Sequence, residues 1–152
     1  MMMVFLVLMI FGSKKVSSID VLKYYSDKLV LEHYEEATGM VGLWESEKVV
    51  FQKSIRNKCA KLLEIGCGTG RISFGLSQLG YAKITATDFS KKMIIRAKKL
   101  NEKYKTKIDF QKQDATALTF EEGQFGAVIF GFNGLMQIPG ELNRRKAMEE
   151  SY

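Results

Sequence analysis

The sequence predicts an α/β fold built on a parallel sheet, and three observations carry that prediction. From Lys61 onward, short apolar runs with strand character alternate with amphipathic helical stretches, the order that right-handed crossovers turn into a parallel sheet. The run Lys61-Leu-Leu-Glu-Ile-Gly-Cys-Gly-Thr-Gly70 ends an apolar strand in an acid and follows it with three glycines at alternate positions. A second acid, Asp88, closes the next apolar run, Ile84-Thr-Ala-Thr-Asp88. The last two describe a nucleotide-type cofactor site at the carboxyl ends of neighbouring strands.

Met1 to Phe11 form an apolar run without a charge. A membrane-spanning helix needs about 20 such residues. A secretory signal carries its positive charge before the run, whereas Lys14 and Lys15 follow this one. Residues 1–18 are therefore expected to be an apolar extension, either incidental or a short membrane-associating anchor. Residues 19–57 are expected to be mostly helical, with Val21, Leu22, Tyr25, Leu29 and Leu31 in one stretch and Val49, Val50 and Ile55 in another. Between these lies Tyr34 to Trp44. Strands are expected at Lys61–Ile65, Lys83–Asp88, Ile108–Gln113 and Gly126–Phe130. The helix from Gly70 to Leu79 carries Ile72, Leu76 and Leu79 on one side. The helix from Ser90 to Tyr104 carries Met93, Ala97, Leu100 and Tyr104, the spacing of a buried face. The fourth strand is apolar almost throughout, as in a strand covered on both faces, and one more helical stretch, Glu141 to Tyr152, follows it.

Glycines at alternate positions let the backbone turn tightly and approach a ligand with no Cβ in the way. A helix starting at Gly70 aims its free N–H groups at whatever sits there. The dinucleotide fingerprint Gly-x-Gly-x-x-Gly fits Gly66 and Gly68 but puts Arg71 where the third glycine belongs. The pattern here is instead Glu-x-Gly-x-Gly-x-Gly. That run resembles motif I of the class I S-adenosylmethionine-dependent methyltransferases. Ala86-Thr-Asp88-Phe-Ser90 is similar to their second motif and Gln113-Asp114-Ala115 to their third. Phe125-Gly-Ala-Val-Ile-Phe-Gly-Phe-Asn133 is similar to their fourth strand and its exit loop.

The resemblance implies a Rossmann-like, doubly wound parallel sheet. The family's seven strands run 3-2-1-4-5-7-6, and this chain supplies strands 3-2-1-4. It implies S-adenosyl-L-methionine as cofactor, with Glu64, Gly66, Cys67, Gly68, Gly70, Asp88, Phe89, Asp114, Ala115 and Asn133 as cofactor-binding residues. Asp88 would accept from the ribose diol, in hydrogen bonds each worth roughly 1.5–3 kcal/mol, and Phe89 would cover the purine. Asp114 and the Ala115 N–H would read the adenine edge. Glu64 would orient the loop and the methionine ammonium, and Asn133 would face the reaction centre. Asp88 and Asp114 also read as strand-end acids capping the next helices, a role open to Ser90 as well. Residues 58–152 are then the cofactor-binding domain, C-terminally incomplete, and residues 19–57 a lid. Tyr25, Tyr34 and Trp44 either touch the cofactor or pack the lid onto the core. With no fifth strand, strand four becomes a free edge, so a fragment able to self-associate along it is expected.

Hydrophobic content of 46% with 26% charged residues is that of a soluble globular domain. Cys59 and Cys67 flank one strand, too far apart along it to pair, which fits a reducing cytoplasm. His33 is the only histidine, and no cluster of Cys, His and acids has metal-ligand spacing. The net charge of +6 raises nucleic acid as a partner. Its excess, however, sits in Lys91, Lys92, Arg96, Lys98, Lys99 and Lys103 with no aromatic side chains interleaved for base stacking, which is the pattern of a solvated helix face. Phe132 to Pro139 lacks the Asn-Pro-Pro-aromatic signature of the family's amino-methylating nucleic-acid enzymes, so a small-molecule methyl acceptor is expected. No catalytic base stands out. A dinucleotide oxidoreductase is one rival reading, disfavoured by Arg71 and the leading Glu64. A catalytically inactive cofactor-binding remnant or interaction module is the other.

Overall fold

A computed structural model describes residues 16–152, so the apolar run from Met1 to Phe11 lies outside the described residues. Helix α1 (Ser18–Tyr24) opens one residue earlier than expected because Ser17 and Asp20 form a reciprocal capping box. Helix α2 (Lys28–Met40) is capped by Asp27, whose Oδ1 accepts from the N–H of Leu29 at 2.9 Å. It runs through Tyr34 and Thr38, so half of the stretch expected to separate two helices is itself helical. Helix α3 (Glu45–Ser54) follows a short turn. Leu31 and Ile55 are buried, whereas Leu29, Val49 and Val50 are 75%, 46% and 56% exposed. Leu29 lies two helical positions from Leu31, which turns it to the opposite side of α2.

The sheet comprises β1 (Lys61–Ile65), β2 (Lys83–Asp88), β3 (Asp109–Lys112) and β4 (Ala127–Phe130). All pairs are parallel, in the order β3-β2-β1-β4. Every residue of β1 after Lys61 is buried, as the centre of a parallel sheet requires. Its register sets Glu64 beside Ala86 and Ile129, and Ile65 beside Thr87 and Phe130, so the carboxyl ends of three strands come level. β3 is shorter than expected. At its start the Asn101 side chain donates to the Ile108 carbonyl at 3.0 Å and accepts from the Ile108 N–H, taking that residue's backbone groups out of the ladder. β4 pairs with β1 alone among the described residues, and only Ile129 of it is buried.

Helices α4 (Arg71–Gln78) and α5 (Lys91–Tyr104) make the first two crossovers. α5 buries Met93, Ala97 and Leu100. Tyr104 is 38% exposed and lies edge-on to Phe74 of α4 at 5.1 Å between ring centroids. The lysines of α5 stay on its solvated side. The link from β3 to β4 carries no helix. A 3₁₀ turn (Leu135–Gln137) and α6 (Glu141–Glu150) follow β4. Among the described residues no helix is long and apolar enough to cross a membrane.

Candidate functional site

Beyond β1 the chain turns through Gly66, Gly68 and Gly70 at φ of 75°, 56° and 96°, values that side-chain-bearing residues rarely adopt. The N–H groups of Gly66 and Cys67 both donate to the Thr87 carbonyl, at 2.8 and 2.9 Å. That of Gly68 donates to Asp88 Oδ2 at 2.8 Å. The glycine loop is thereby fastened to the end of β2. A Cβ at Gly68 would lie 3.4 Å from the Tyr34 ring, and one at Gly70 only 2.8 Å from the Phe110 ring. Gly70 therefore serves the packing of α4 against β3, and it caps α4, whose first residue is Arg71.

Asp88 has its other oxygen, Oδ1, on the N–H of Ser90 at 2.7 Å. The cap of α5 is Ser90 itself, whose hydroxyl accepts from the Met93 N–H. Asp88 thus bridges loop and helix. Burial pushes its carboxyl up, against the pull of the Ser90 and Gly68 N–H groups. Glu64 is 2% exposed and accepts a hydrogen bond from the Ser73 hydroxyl. Burial pushes its carboxyl up to about 7 even though Ser73 and Arg71 favour the ionised form. The Cys67 thiol is buried and pushed well above its usual range by desolvation, so it sits there as a neutral packing group rather than a nucleophile. Asp114, at the turn after β3, takes the Thr116 N–H and hydroxyl on Oδ1 at 2.9 and 2.8 Å. Its Oδ2 has no partner among the described residues.

These groups share one cavity of about 530 Å³, within the size range of small-molecule sites. Glu64, Gly66, Cys67 and Gly68 line it from β1 and the loop, and Asp88, Phe89, Asp114 and Ala115 from β2 and β3. Two expected residues are not on its wall. Gly70 is turned to the core. Asn133 is exposed, its carbonyl accepting from the Gln137 N–H at 3.2 Å, while its neighbours Phe132 and Gly134 line the cavity.

The first two helices roof the cavity. Tyr25 and Tyr34 meet edge to face at 5.8 Å, and burial and the Tyr34 contact push the Tyr25 phenol up. Tyr34 lies over Gly68, and the hydroxyls of Thr69 and Thr38 reach the Tyr34 carbonyl at 2.8 and 3.0 Å. Trp44 stands at the mouth, edge-on to Phe132 at 5.5 Å.

Arg71, read in the sequence only as a missing glycine, ties the mouth together. Its guanidinium donates to both oxygens of Glu47 at 2.7 Å and to the Gly42 carbonyl at 2.6 Å. It also lies 5.3 Å from the Trp44 ring centroid and 5.6 Å from that of Phe132. Burial alone would raise the Glu47 carboxyl, but Arg71 and the Trp44 N–H hold it below its usual range. One signal was present in the sequence: a cation at the first position of a helix opposes the dipole, so its charge needs a partner elsewhere. Phe132 is the other unforeseen residue. It has φ of 38° and Asn133 follows at 62°. For a bulky residue that conformation costs about 1–3 kcal/mol, yet it leaves the ring 58% exposed.

Residues 62–152 match a family model described as a methyltransferase domain. A demethylmenaquinone methyltransferase of Lactococcus lactis is 42% identical over 84 residues, 53% of this chain and 33% of that protein. An eEF1A lysine and N-terminal methyltransferase of Danio rerio is 30% identical over 105 residues, 69% of this chain and 15% of that protein. This chain thus spans a third or less of the length of these two relatives. Among solved structures, a candidate S-adenosyl-L-methionine-dependent methyltransferase of Methanococcus maripaludis superposes with a TM-score of 0.68 at 17% identity, over 82% of this chain and 58% of its own. The CcbJ methyltransferase of Streptomyces caelestis gives 0.61 at 21% identity, over 68% and 41%.

Proposed function

We propose that this chain, which belongs to the class I S-adenosylmethionine-dependent methyltransferase family, binds S-adenosyl-L-methionine in the cavity above its glycine loop and passes the methyl group to a small-molecule acceptor. Membership of that family sets aside the dinucleotide reading of the loop. The observation that carries the proposal is the convergence of Glu64, Gly66, Gly68, Asp88 and Asp114 on one cavity wall, at the ends of three adjacent strands.

The donor set suits the cofactor. Each Asp88 oxygen accepts one backbone N–H and keeps a lone pair for a ribose hydroxyl. The free Oδ2 of Asp114 and the Ala115 backbone are placed for the purine edge, and Phe89 for its face. Glu64, buried beside the loop, is the acid for a ligand ammonium, and Ser73 fixes its orientation. When bound, the sulfonium would supply an electrophilic methyl for a lone pair of the acceptor, with S-adenosylhomocysteine as the leaving group and the acceptor's proton lost to water. This chain's residues contribute positioning and exclusion of water, which in such sites supply roughly 7–11 kcal/mol of the barrier.

Calorimetric titration with S-adenosylhomocysteine tests the binding. Saturable binding is expected for the chain, with a loss of at least about tenfold in Asp88→Asn, where one charge-assisted bond is weakened. A folded chain that does not bind would overturn the proposal. Release of S-adenosylhomocysteine in the presence of an acceptor separates an enzyme from a remnant that binds without turnover.

A further inference from the structure

Four charged side chains stand on the cavity lining among the described residues: Glu64, Asp88 and Asp114 on the floor, and Arg71 at the mouth. The floor acids are those assigned above to the cofactor. The charge of Arg71 is already met by the two oxygens of Glu47. Among the described residues the mouth therefore offers no unpaired charge of either sign. Its remaining wall is apolar, from Val41, Trp44, Phe132, Ile138 and Pro139. Two neutral amides also line it: Gln137, whose side chain has no partner among the described residues, and Asn143, whose Nδ2 donates to the Pro139 carbonyl at 2.9 Å. An ammonium acceptor would find no carboxylate there, and an anionic one no free cation.

Phe132 shows what the mouth is arranged to hold. Its backbone is left-handed, a conformation glycine takes freely and phenylalanine does not. Its ring stays 58% exposed and meets the Trp44 ring and the Arg71 guanidinium. A strained backbone that presents an exposed ring beside a half-exposed tryptophan lacks a folding rationale. It does supply two aromatic walls at the edge of a cavity. We infer that the mouth is an acceptor subsite for an uncharged, planar aromatic molecule, packed against the contacting rings of Trp44 and Phe132 with its polar substituent on Gln137. This rests on the methyltransferase reading of the floor and specifies its acceptor.

The test compares three probes of one shape: 2-naphthol, 2-naphthoate and 2-naphthylmethylammonium. Each is titrated by ligand-observed NMR into the full chain, with and without saturating S-adenosylhomocysteine. The neutral probe is expected to bind most tightly. Phe132→Gly and Trp44→Leu are each expected to weaken it by roughly three- to tenfold, the range for losing one aromatic contact, a larger loss than either causes in S-adenosylhomocysteine affinity. Phe132→Gly is also expected to leave the unfolding midpoint level or higher, because glycine relieves the backbone. A ring that merely stabilised the fold would lower it. Trp44→Phe, which keeps an aromatic wall, is expected to retain binding and guards against a misfolded Trp44→Leu. Equal or tighter binding of the ammonium probe would overturn the inference and point to an amine acceptor. Tighter binding of the naphthoate, no probe binding at all, or naphthol affinity unchanged in Phe132→Gly would overturn it too. If S-adenosylhomocysteine fails to bind while 2-naphthol is still preferred and lost in Phe132→Gly, the mouth stands and the cofactor reading of the floor falls.

Discussion

At the floor of the cavity, Gly66, Cys67 and Gly68 give their N–H groups to Thr87 and Asp88, so the loop is held by its own backbone against the neighbouring strand. At the mouth, Gly42, Trp44, Glu47 and Phe132 are gathered around one side chain, that of Arg71. The floor is fixed by strand register and by residues adjacent in sequence to the strands. The mouth is fixed by contacts between segments well separated along the chain, each made by a side chain that is free to be replaced. The difference teaches where variation belongs. A floor of this kind suits a ligand that never changes, whereas a mouth of this kind can be reshaped without disturbing the sheet.

The largest effect expected is at the floor. Gly70→Ala puts a Cβ 2.8 Å from Phe110 at a residue with φ of 96°, combining backbone strain with overpacking, at a cost of about 2–4 kcal/mol. Just after β4, where the chain leaves the floor for the mouth, Gly131→Ala meets the Ile72 Cδ1 at 2.1 Å, but that atom is the tip of a side chain that can shift. The cost there is expected to be about 1–2 kcal/mol. Urea unfolding of both variants checks the ranking. Equal losses would erase the contrast between a rigid floor and an adaptable mouth.

The floor also carries the pH dependence. Burial raises the Glu64 carboxyl from the usual 4.5 to about 7, so the folded chain holds this proton more tightly than the unfolded one. Stability from this group is therefore greatest below about pH 4.5 and falls as pH rises towards 7, by about 3 kcal/mol in total. Asp88, also raised, acts in the same direction. The difference between the chain and Glu64→Gln, followed by urea unfolding from pH 4 to pH 8, isolates the Glu64 part. A stability difference that stays level across that range would show that Glu64 titrates as an exposed acid. Ligand binding has the opposite sign. An ammonium favours the ionised carboxyl, so affinity for S-adenosylhomocysteine should rise with pH up to about 7, and that rise should vanish in Glu64→Gln.

The same division separates what was legible in the sequence from what was not. Lys61–Ile65 and Lys83–Asp88 were readable because each is an apolar run with an acid at or next to its end, and the buried face of α5 because Met93, Ala97 and Leu100 keep helical spacing. The glycine loop announced itself through residue type. Where a side chain overrode the local pattern, the reading slipped. Asn101 shortens β3, and α2 buries Leu31, which leaves Leu29, two helical positions away, in solvent. Gly70 shares the spacing of Gly66 and Gly68, which line the cavity, and only the ring of Phe110, forty residues on, shows why it is needed. At the mouth the loop after β4 was recognised, but Asn133 was chosen where Phe132 and Gly134 form the wall. Two successive left-handed residues turn Asn133 away; asparagine before glycine favours such a turn, but nothing in phenylalanine foretells it at Phe132.

The smallest effect expected, and the one that bears most directly on the mouth, is the coupling of Arg71 to Glu47. Both side chains are about 15% exposed, at 15% and 16%, and meet through two parallel hydrogen bonds, so their attraction is screened less than that of a surface pair. A double-mutant cycle with Arg71→Met and Glu47→Gln is expected to give a coupling of about 1–2 kcal/mol. Arg71→Lys should recover little of it, because an ammonium cannot span both Glu47 oxygens and the Gly42 carbonyl. Limited proteolysis between α2 and α3 should quicken in Arg71→Met, and the Glu64 carboxyl, losing a charge that favours its ionised form, should be raised further. Additive single mutants, within about 0.5 kcal/mol, would mean that the two side chains are neighbours without being partners. The mouth would then be held by the Trp44–Phe132 contact, and the guanidinium would act as a platform for those rings rather than as a clasp.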